Sequence, residues 1–357
     1  MRVVQITPAF SIGDAVGENA LAIHKFLSQK GIESRIMTPD IKTQHSAVEV
    51  LDLNFLKGLS QEDVVIYHIA VATPFAKEIL KLNAKKIIIS HNVTPPNFYL
   101  QFNPEISQLL QKTLDEIKFF VDNQDKIDAF IGVSEFNTLQ LQELGAEKCY
   151  TVPLIIDWAK FEKKPNSFYM KLFSDDKVNL LFVGRIVPNK KIEDLIKVVF
   201  YYKEAISPRV RLIIAGNTKS LEPYTFALKD LAERFFLRSD EVVFTGWVTD
   251  EELIALYRVS DVFLSASEHE GFGVPFVEAM YFSLPIIAYD AGAVKETVGN
   301  GGIILKTKQP HIWGETIEEL LKNQDLKETI IENQKKRISQ LRSQRSEEKL
   351  LSIIGQL

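Results

Sequence analysis

Short apolar segments alternate with longer segments of helical periodicity along most of this chain of 357 residues. The short segments have the length of buried parallel strands, and the longer ones repeat apolar residues as amphipathic helices do. This alternation predicts βα units and parallel sheets. The predicted strands form two sets: Val3–Ile6, Glu33–Met37, Val64–Tyr67, Lys86–Ile89, Ala129–Val133 and Tyr150–Val152, then Leu180–Val183, Arg211–Ala215, Glu241–Phe244, Asp261–Leu264, Pro285–Ala288 and Gly302–Leu305.

The two sets of strands predict two doubly wound domains. A polar stretch with lysines and proline, 158–177, separates the sets. With 46% apolar residues, the chain is long enough to fill two cores. We therefore expect a first domain over 1–165, a second over 166–335 and a last helix over 336–357. Such folds bind ligands at the C-terminal ends of their strands.

The composition of the chain indicates which classes of partner and which cellular compartment to expect. A net charge of −5 and a pI near 5.8 argue against nucleic acid as a partner. With Cys149 as the single cysteine, the chain has neither a disulfide nor a thiolate metal site of its own. The first residues are too short an apolar run for a signal peptide, and no segment has the apolar length of a bilayer span. We expect a cytoplasmic protein.

The strongest functional signal is the segment Ser267–Met280, in which seven residues separate Glu270 from Glu278. Glu270 follows a predicted strand, and Glu278 lies one to two turns inside the helix that comes next. Two glycines at the turn let backbone N–H groups approach a phosphate at the positive end of the helix dipole. Glu278 would then reach a ribose diol. The residues expected to hold sugar or phosphate through their backbone are Gly271, Phe272, Gly273 and Val274.

Two cations follow the first strand of the second set. Arg185 and Lys190 lie in the loop that begins at Gly184. Cations at a strand end can neutralise a diphosphate leaving group, and they act most strongly in the transition state, when negative charge builds on the departing phosphate.

Both segments resemble glycosyltransferase family 4, whose members carry a Glu-x7-Glu signature and a Gly-Arg-x4-Lys element. Members of that family are retaining enzymes with the α/β GT-B fold, two Rossmann-like doubly wound domains facing a central cleft. The resemblance implies that Arg185 and Lys190 stabilise the diphosphate, that Glu270 binds sugar hydroxyls and that Glu278 binds the ribose, without a metal ion. Gly184, just before Arg185, is also expected to contribute to donor binding. Lys191 stands where the family commonly has glycine, so either lysine is a candidate for the phosphate contact.

The resemblance also assigns roles in the first half of the chain. Gly13 and Asp14, in the loop after the first strand, would close over the donor phosphates. That loop lacks the Gly-x-Gly-x-x-Gly fingerprint, which weakens an oxidoreductase interpretation. His91 would hydrogen-bond the transferred sugar or help to stabilise an oxocarbenium-like transition state. His68 has a similar position but is interpreted as structural, as a lone histidine usually is.

Three residues after strands of the second set complete the expected donor site. The family binds the base at such positions, partly through backbone groups. These residues are Gly216, Asn217 and Val248.

The implied activity is hexose transfer from a nucleoside diphosphate sugar, by front-face attack rather than double displacement. Similarity to bacterial mannosyltransferases of polysaccharide biosynthesis favours GDP-mannose as donor, with UDP-glucose next and no cofactor. The expected acceptor is a saccharide or a polyprenyl-diphosphate-linked saccharide, which implies a peripheral contact with the inner face of the membrane. The alternatives are a nucleotide-sugar epimerase of the same fold and a non-catalytic nucleotide-sugar binding protein.

Overall fold

The alternating segments form two parallel sheets in a computed structural model of the chain, which describes residues 1–11 and 13–357. Every strand predicted from the sequence is present, with ends that differ by at most about two residues. One strand, Val48–Val50, was not predicted. It has three residues, two of them exposed, and Glu49 at its centre interrupts the apolar pattern.

Unit 1 comprises Met1–Leu100, Pro104–Asp157 and Arg345–Leu357. Its strands are β1 (Arg2–Ile6), β2 (Glu33–Thr38), β3 (Val48–Val50), β4 (Val64–Ile69), β5 (Lys85–Ser90), β6 (Ala129–Gly132) and β7 (Cys149–Thr151). In the described residues they form a seven-stranded parallel sheet of order β3-β2-β1-β4-β5-β6-β7. The order in which strands are added to the sheet reverses between β1 and β4. A doubly wound sheet binds its ligands at this switch point.

Unit 2 comprises Gln101–Asn103 and Trp158–Gln344. Its strands are β8 (Val178–Val183), β9 (Val210–Ala215), β10 (Val242–Gly246), β11 (Val262–Ser265), β12 (Ile286–Tyr289) and β13 (Gly302–Leu305). They form a six-stranded parallel sheet, within the described part of the chain, of order β10-β9-β8-β11-β12-β13. In this sheet the strand order reverses between β8 and β11.

Helices follow most strands in both units and bury their apolar sides. All residues of β4 and of β9 are buried, as in parallel sheets that are covered on both faces. The helices are α1 (Ala15–Gln29), α2 (Leu53–Lys57), α3 (Ala76–Leu80), α4 (Pro104–Asp122), α5 (Glu135–Glu143), α6 (Ser167–Leu172), α7 (Ile192–Ala205), α8 (Glu222–Arg234), α9 (Asp250–Val259), α10 (Val274–Tyr281), α11 (Val294–Val298), α12 (Pro310–Lys322), α13 (Gln324–Ser343) and α14 (Ser346–Gln356).

The units end at other residues than the sequence predicted. Unit 1 reaches Asp157 rather than 165, because the segment after it packs in unit 2, where the Phe161 ring lies 4.8 Å from that of Tyr281. Unit 2 extends beyond 335 because α13 continues without a break to Ser343. The chain from Arg345 onward, with α14, belongs to unit 1. Within the described residues, each helix is too short or too polar to cross a bilayer.

Candidate functional site

Three neighbouring strands of unit 2 end at glycines whose backbones lie close together. The amide of Gly184, after β8, donates to the carbonyl of Ala215 (3.0 Å), and the amide of Gly216, after β9, donates to that of Gly246 (3.1 Å). A Cβ on Gly216 would lie 2.0 Å from the carbonyl oxygen of Gly184. Only glycine fits there, so the sequence-predicted residues Gly184 and Gly216 lie side by side at one edge of the sheet.

The three predicted residues beyond these strand ends differ in their surroundings. Arg185 is exposed, and none of the residues that the structure describes pairs with its guanidinium. Asn217 is exposed and accepts a hydrogen bond from the amide of Lys219 (2.9 Å). Val248 is partly buried. Of these three, Arg185 has a charged group available for an anionic ligand.

The turn from β11 into α10 presents four successive backbone amides at the start of a helix. Gly273 caps the helix with a φ of +82°, and a Cβ there would lie 2.5 Å from the Phe276 ring. Unpaired buried amides are costly, and the positive end of a helix dipole favours an anion. This corner therefore fits the oxygens of a phosphate. Among residues 1–11 and 13–357, no group accepts a hydrogen bond from the amides of Gly271, Phe272, Gly273 and Val274.

The cation beside this corner is Lys190. Its Nζ lies 2.5 Å from Oε1 of Glu270, and the two side chains are 16% and 10% exposed. The Nζ of Lys191 instead lies 3.5 Å from Glu268 and 3.7 Å from Glu193. Of the two candidate lysines, the structure thus brings Lys190 to Glu270.

Two loops hold this ion pair from either side. The carbonyl of Asn189 accepts the amide of Glu268 (2.8 Å), and the Asn189 side chain donates to the carbonyl of His269 (3.1 Å). On the other side, the carbonyl of Glu270 accepts the amide of Ala293 (3.0 Å). The residue before it, Gly292, has a φ of +56°, and a Cβ there would lie 2.4 Å from the carbonyl oxygen of Glu270. Sequence reasoning missed both Asn189 and Gly292, since their roles are contacts with residues distant in the sequence.

Glu278 is buried in α10 with both carboxylate oxygens engaged. Oε1 lies 3.1 Å from Nζ of Lys160, and Oε2 accepts the hydroxyl of Tyr257 (2.8 Å). The pocket beside it, also lined by Phe282, has a volume of about 10 Å³, which is about one water site. The ribose role of Glu278 remains a prediction.

In unit 1, Gly13 and Asp14 lie at the start of α1. Asp14 is the N-cap, and its carboxylate accepts the amide of Val16 (3.3 Å). The amide of Gly13, which has a φ of +83°, donates to the Glu18 carboxylate (3.0 Å). These contacts explain both residues as a helix start, and their proposed contact with donor phosphates remains a prediction.

His91 and His68 lie at the ends of adjacent strands and contact each other directly. Nε2 of His91 lies 2.7 Å from Nδ1 of His68, and the rings stack at 5.0 Å with an angle of 27°. The other nitrogen of His68, Nε2, lies 3.1 Å from Oε1 of Gln5. His68 is therefore a direct contact of His91. The sequence did not reveal this contact, because the two residues are 23 positions apart.

Burial holds both imidazoles in the neutral form. It lowers the pKa of His91 to about 3. Burial, with a smaller contribution from His91, also lowers the pKa of His68 well below its usual value. Since desolvation penalises the imidazolium, both rings act as neutral hydrogen-bonding groups.

These pKa shifts predict that unit 1 loses stability in mild acid. As the pH falls below about 6.5, these histidines become protonated in the unfolded chain but stay neutral in the folded chain. The free energy of unfolding therefore falls. The expected slope is up to about 1.4 kcal/mol per pH unit for each histidine. Thermal unfolding midpoints at about pH 7 and about pH 5 measure it. Replacing His91 with asparagine should reduce the pH dependence.

No group of three or more His, Cys, Asp or Glu side chains that could hold a metal ion occurs in the residues that the structure describes.

Part of the chain, within the second unit, is similar to a known protein family. Residues 164–337 match the family described as Glycosyl transferases group 1. An uncharacterised glycosyltransferase of Methanocaldococcus jannaschii is 27% identical over 269 residues, which cover 73% of this chain and 65% of the relative. The serotype-specific mannosyltransferase WbdA of Escherichia coli is 32% identical over 120 residues, which cover 34% of this chain and 14% of WbdA. The chain spans about half the length of the curated relatives it matches.

The fold has counterparts among solved structures. Anabaena HepE, in complex with UDP-glucose, matches 99% of this chain and 100% of its own, with a TM-score of 0.77 and 17% identity. This match and others confirm the predicted GT-B fold class, with two Rossmann-like domains. Residues 164–337 of this chain are thus similar to the glycosyl transferases group 1 family.

Proposed function

We propose that the protein is a metal-independent, retaining glycosyltransferase of family 4, which transfers a hexose from a nucleoside diphosphate sugar to a saccharide acceptor in polysaccharide biosynthesis. The observation that carries this proposal is the anion-binding corner of unit 2. Four amides there have no acceptor within the described residues, and the Lys190–Glu270 pair lies beside them.

The charges of this corner suit a diphosphate leaving group. When the bond between the anomeric carbon and the diphosphate oxygen breaks, negative charge grows on that oxygen. Lys190, Arg185 and the amides at the start of α10 would stabilise it more in the transition state than in the bound donor. Glu270 can accept sugar hydroxyls while paired with Lys190, since a carboxylate has about four acceptor positions.

The pairing of Glu270 also bears on stereochemistry. Double displacement needs a carboxylate nucleophile beside the anomeric carbon. At 2.5 Å from Nζ of Lys190, Glu270 is a weakened nucleophile, because its ion pair with the ammonium group withdraws electron density from the carboxylate. Retention would then come from front-face attack, in which a donor phosphate oxygen takes the proton of the acceptor hydroxyl.

Mannose is the favoured sugar and GDP-mannose the favoured donor. Similarity to the mannosyltransferase WbdA supports this choice. UDP-glucose is the second donor to test; HepE was solved with it, although that likeness concerns the fold. We further propose that the acceptor is a saccharide, free or linked to polyprenyl diphosphate, and that the latter brings the protein to the inner face of the membrane.

Calorimetric titration of the metal-free protein with GDP, UDP, ADP and their sugar conjugates tests the proposal. We expect one nucleoside diphosphate to bind selectively. Glu278→Gln should weaken that binding about tenfold or more, because a ribose hydroxyl loses a charged acceptor. Glu315→Gln, on the exposed side of α12, is the matched control and should bind as the wild type does.

Three outcomes would contradict the proposal in different ways. Absence of binding to every nucleotide would remove the donor site. Binding without sugar transfer to any acceptor would indicate a non-catalytic binding protein. Conversion of the donor sugar to its epimer without an acceptor would indicate an epimerase.

A further inference from the structure

A chain of hydrogen bonds runs from helix α1 to His91 in unit 1. Nε2 of Gln5 donates to the carbonyl of Ala20 (2.9 Å), and Oε1 of Gln5 lies 3.1 Å from Nε2 of His68. Nδ1 of His68 lies 2.7 Å from Nε2 of His91. Ala20, Gln5 and His68 have no exposed surface, so water does not offer alternative partners.

The Ala20 carbonyl sets the direction of every bond in this chain. A carbonyl only accepts, so the Gln5 group facing it is the NH2, and the Gln5 oxygen faces His68. That oxygen also only accepts, so Nε2 of His68 carries the hydrogen. Neutral His68 then has a lone pair on Nδ1, which accepts a hydrogen from Nε2 of His91.

We propose that Gln5 and His68 are positioning residues that fix His91 in the Nε2–H tautomer, so that its Nδ1 accepts a hydrogen bond from a hydroxyl of the sugar substrate. The tautomer follows from the contacts in unit 1 alone. The substrate contact rests on the proposed function.

The backbone around His91 keeps the ring in place for this role. The His91 amide donates to the carbonyl of Ile69 (2.9 Å). The next residue, Asn92, has a φ of +69°, and its side chain accepts a hydrogen bond from Asn137 (3.0 Å). Among the described residues, no group hydrogen-bonds to Nδ1 of His91. That nitrogen is therefore available to a ligand.

An acceptor nitrogen distinguishes sugars in a specific way. It binds a hydroxyl, which can donate, and it repels a fluorine or an ether oxygen at the same position, which can only accept. A neutral imidazole also adds no positive charge for a phosphate. The structure thus assigns His91 to sugar recognition rather than to leaving-group stabilisation.

Nitrogen NMR of the full-length protein labelled with 15N-histidine tests the tautomer directly. At about neutral pH we expect Nε2 of His91 to be protonated and Nδ1 to be unprotonated. The His91→Asn variant identifies its signals. A protonated Nδ1, in the neutral or the charged ring, would overturn the inference whether or not the protein transfers sugar.

Two variants test the positioning residues. Gln5→Met keeps the volume but removes the hydrogen-bonding amide, so we expect a mixture of His91 tautomers and a kcat/KM for sugar transfer about tenfold lower. His24→Gln, which replaces a half-buried imidazole of α1 outside this chain of contacts, should change neither quantity.

The NMR and kinetic results separate the two claims. A changed tautomer with unchanged kcat/KM would overturn the sugar contact. The expected tautomer in a protein that transfers no sugar would contradict the proposed function and leave the positioning role standing. An unchanged tautomer in Gln5→Met would show that Gln5 has no such role.

Discussion

Replacing Lys190 with alanine is expected to lower kcat for sugar transfer by about a hundredfold to a thousandfold, the effect of removing one group that stabilises transition-state charge. Nζ of Lys190 lies 2.5 Å from Glu270, the residue just before the four amides of 271–274, for which the described residues provide no acceptor. The variant loses the cation for the departing diphosphate. It also leaves Glu270 as a buried carboxylate without this partner. Steady-state kinetics with saturating donor measures the change.

Lys191→Gly is the matched control. Lys191 has a φ of +50°, in the left-handed region where glycine is unstrained, and its amine lies near Glu268 rather than Glu270. Glycine there relieves backbone strain of about 1 kcal/mol and leaves the proposed phosphate cation intact. We expect a similar or higher thermal midpoint and nearly unchanged kcat. An equal loss of kcat in both variants would show that Lys190 has no special role.

The fold was predictable because parallel strands buried on both faces have a strong sequence pattern. β4 and β9 are fully buried and mostly apolar, with one polar residue each, His68 and Arg211, and helical periodicity between such segments indicates βα units. Strands that are partly exposed lack this apolar pattern. The edge strand β3 has two exposed residues, so nothing in its sequence distinguishes it from a loop. The unit boundary at Asp157 depends on aromatic packing of Phe161, which composition does not reveal.

The candidate site was predictable as a set of residues but not as a set of contacts. The Glu270 segment was recognisable because two glycines and two carboxylates surround one strand-to-helix turn. The choice between Lys190 and Lys191 was not, because the left-handed backbone of Lys191 decides which amine faces Glu270. The partners of Glu278 were also hidden, since Lys160 lies 118 residues before it and meets it only through the fold.

Gly292 had no functional signal in the sequence, yet the structure gives it a large expected effect. It lies between two alanines after β12, without a charged neighbour to mark it. Gly292 allows the loop between β11 and α10 to pass close to it. The carbonyl oxygen of Glu270 in that loop would be 2.4 Å from any Cβ added at Gly292. A contact of that length forces one of the two loops to move.

Gly292→Ala is therefore expected to displace Glu270 and to impair both stability and turnover. The positive φ and the overlap together should lower the free energy of unfolding of unit 2 by about 2–4 kcal/mol. A shift of Glu270 by about 1 Å should lower kcat about a hundredfold. Thermal unfolding and steady-state kinetics, run below the unfolding transition of the variant, measure the two effects separately.

Gly299→Ala separates backbone strain from displacement of Glu270. Gly299 has nearly the same φ, +57°, but among the described residues a Cβ there would approach the Arg337 side chain, at 3.5 Å, which is an ordinary van der Waals contact. This variant should lose stability through strain and keep the kcat of the wild type. If Gly292→Ala also kept that kcat, the position of Glu270 would not limit the reaction. The carboxylate would then be a structural partner of Lys190 rather than a ligand of the sugar, because a sugar ligand does not tolerate such a shift.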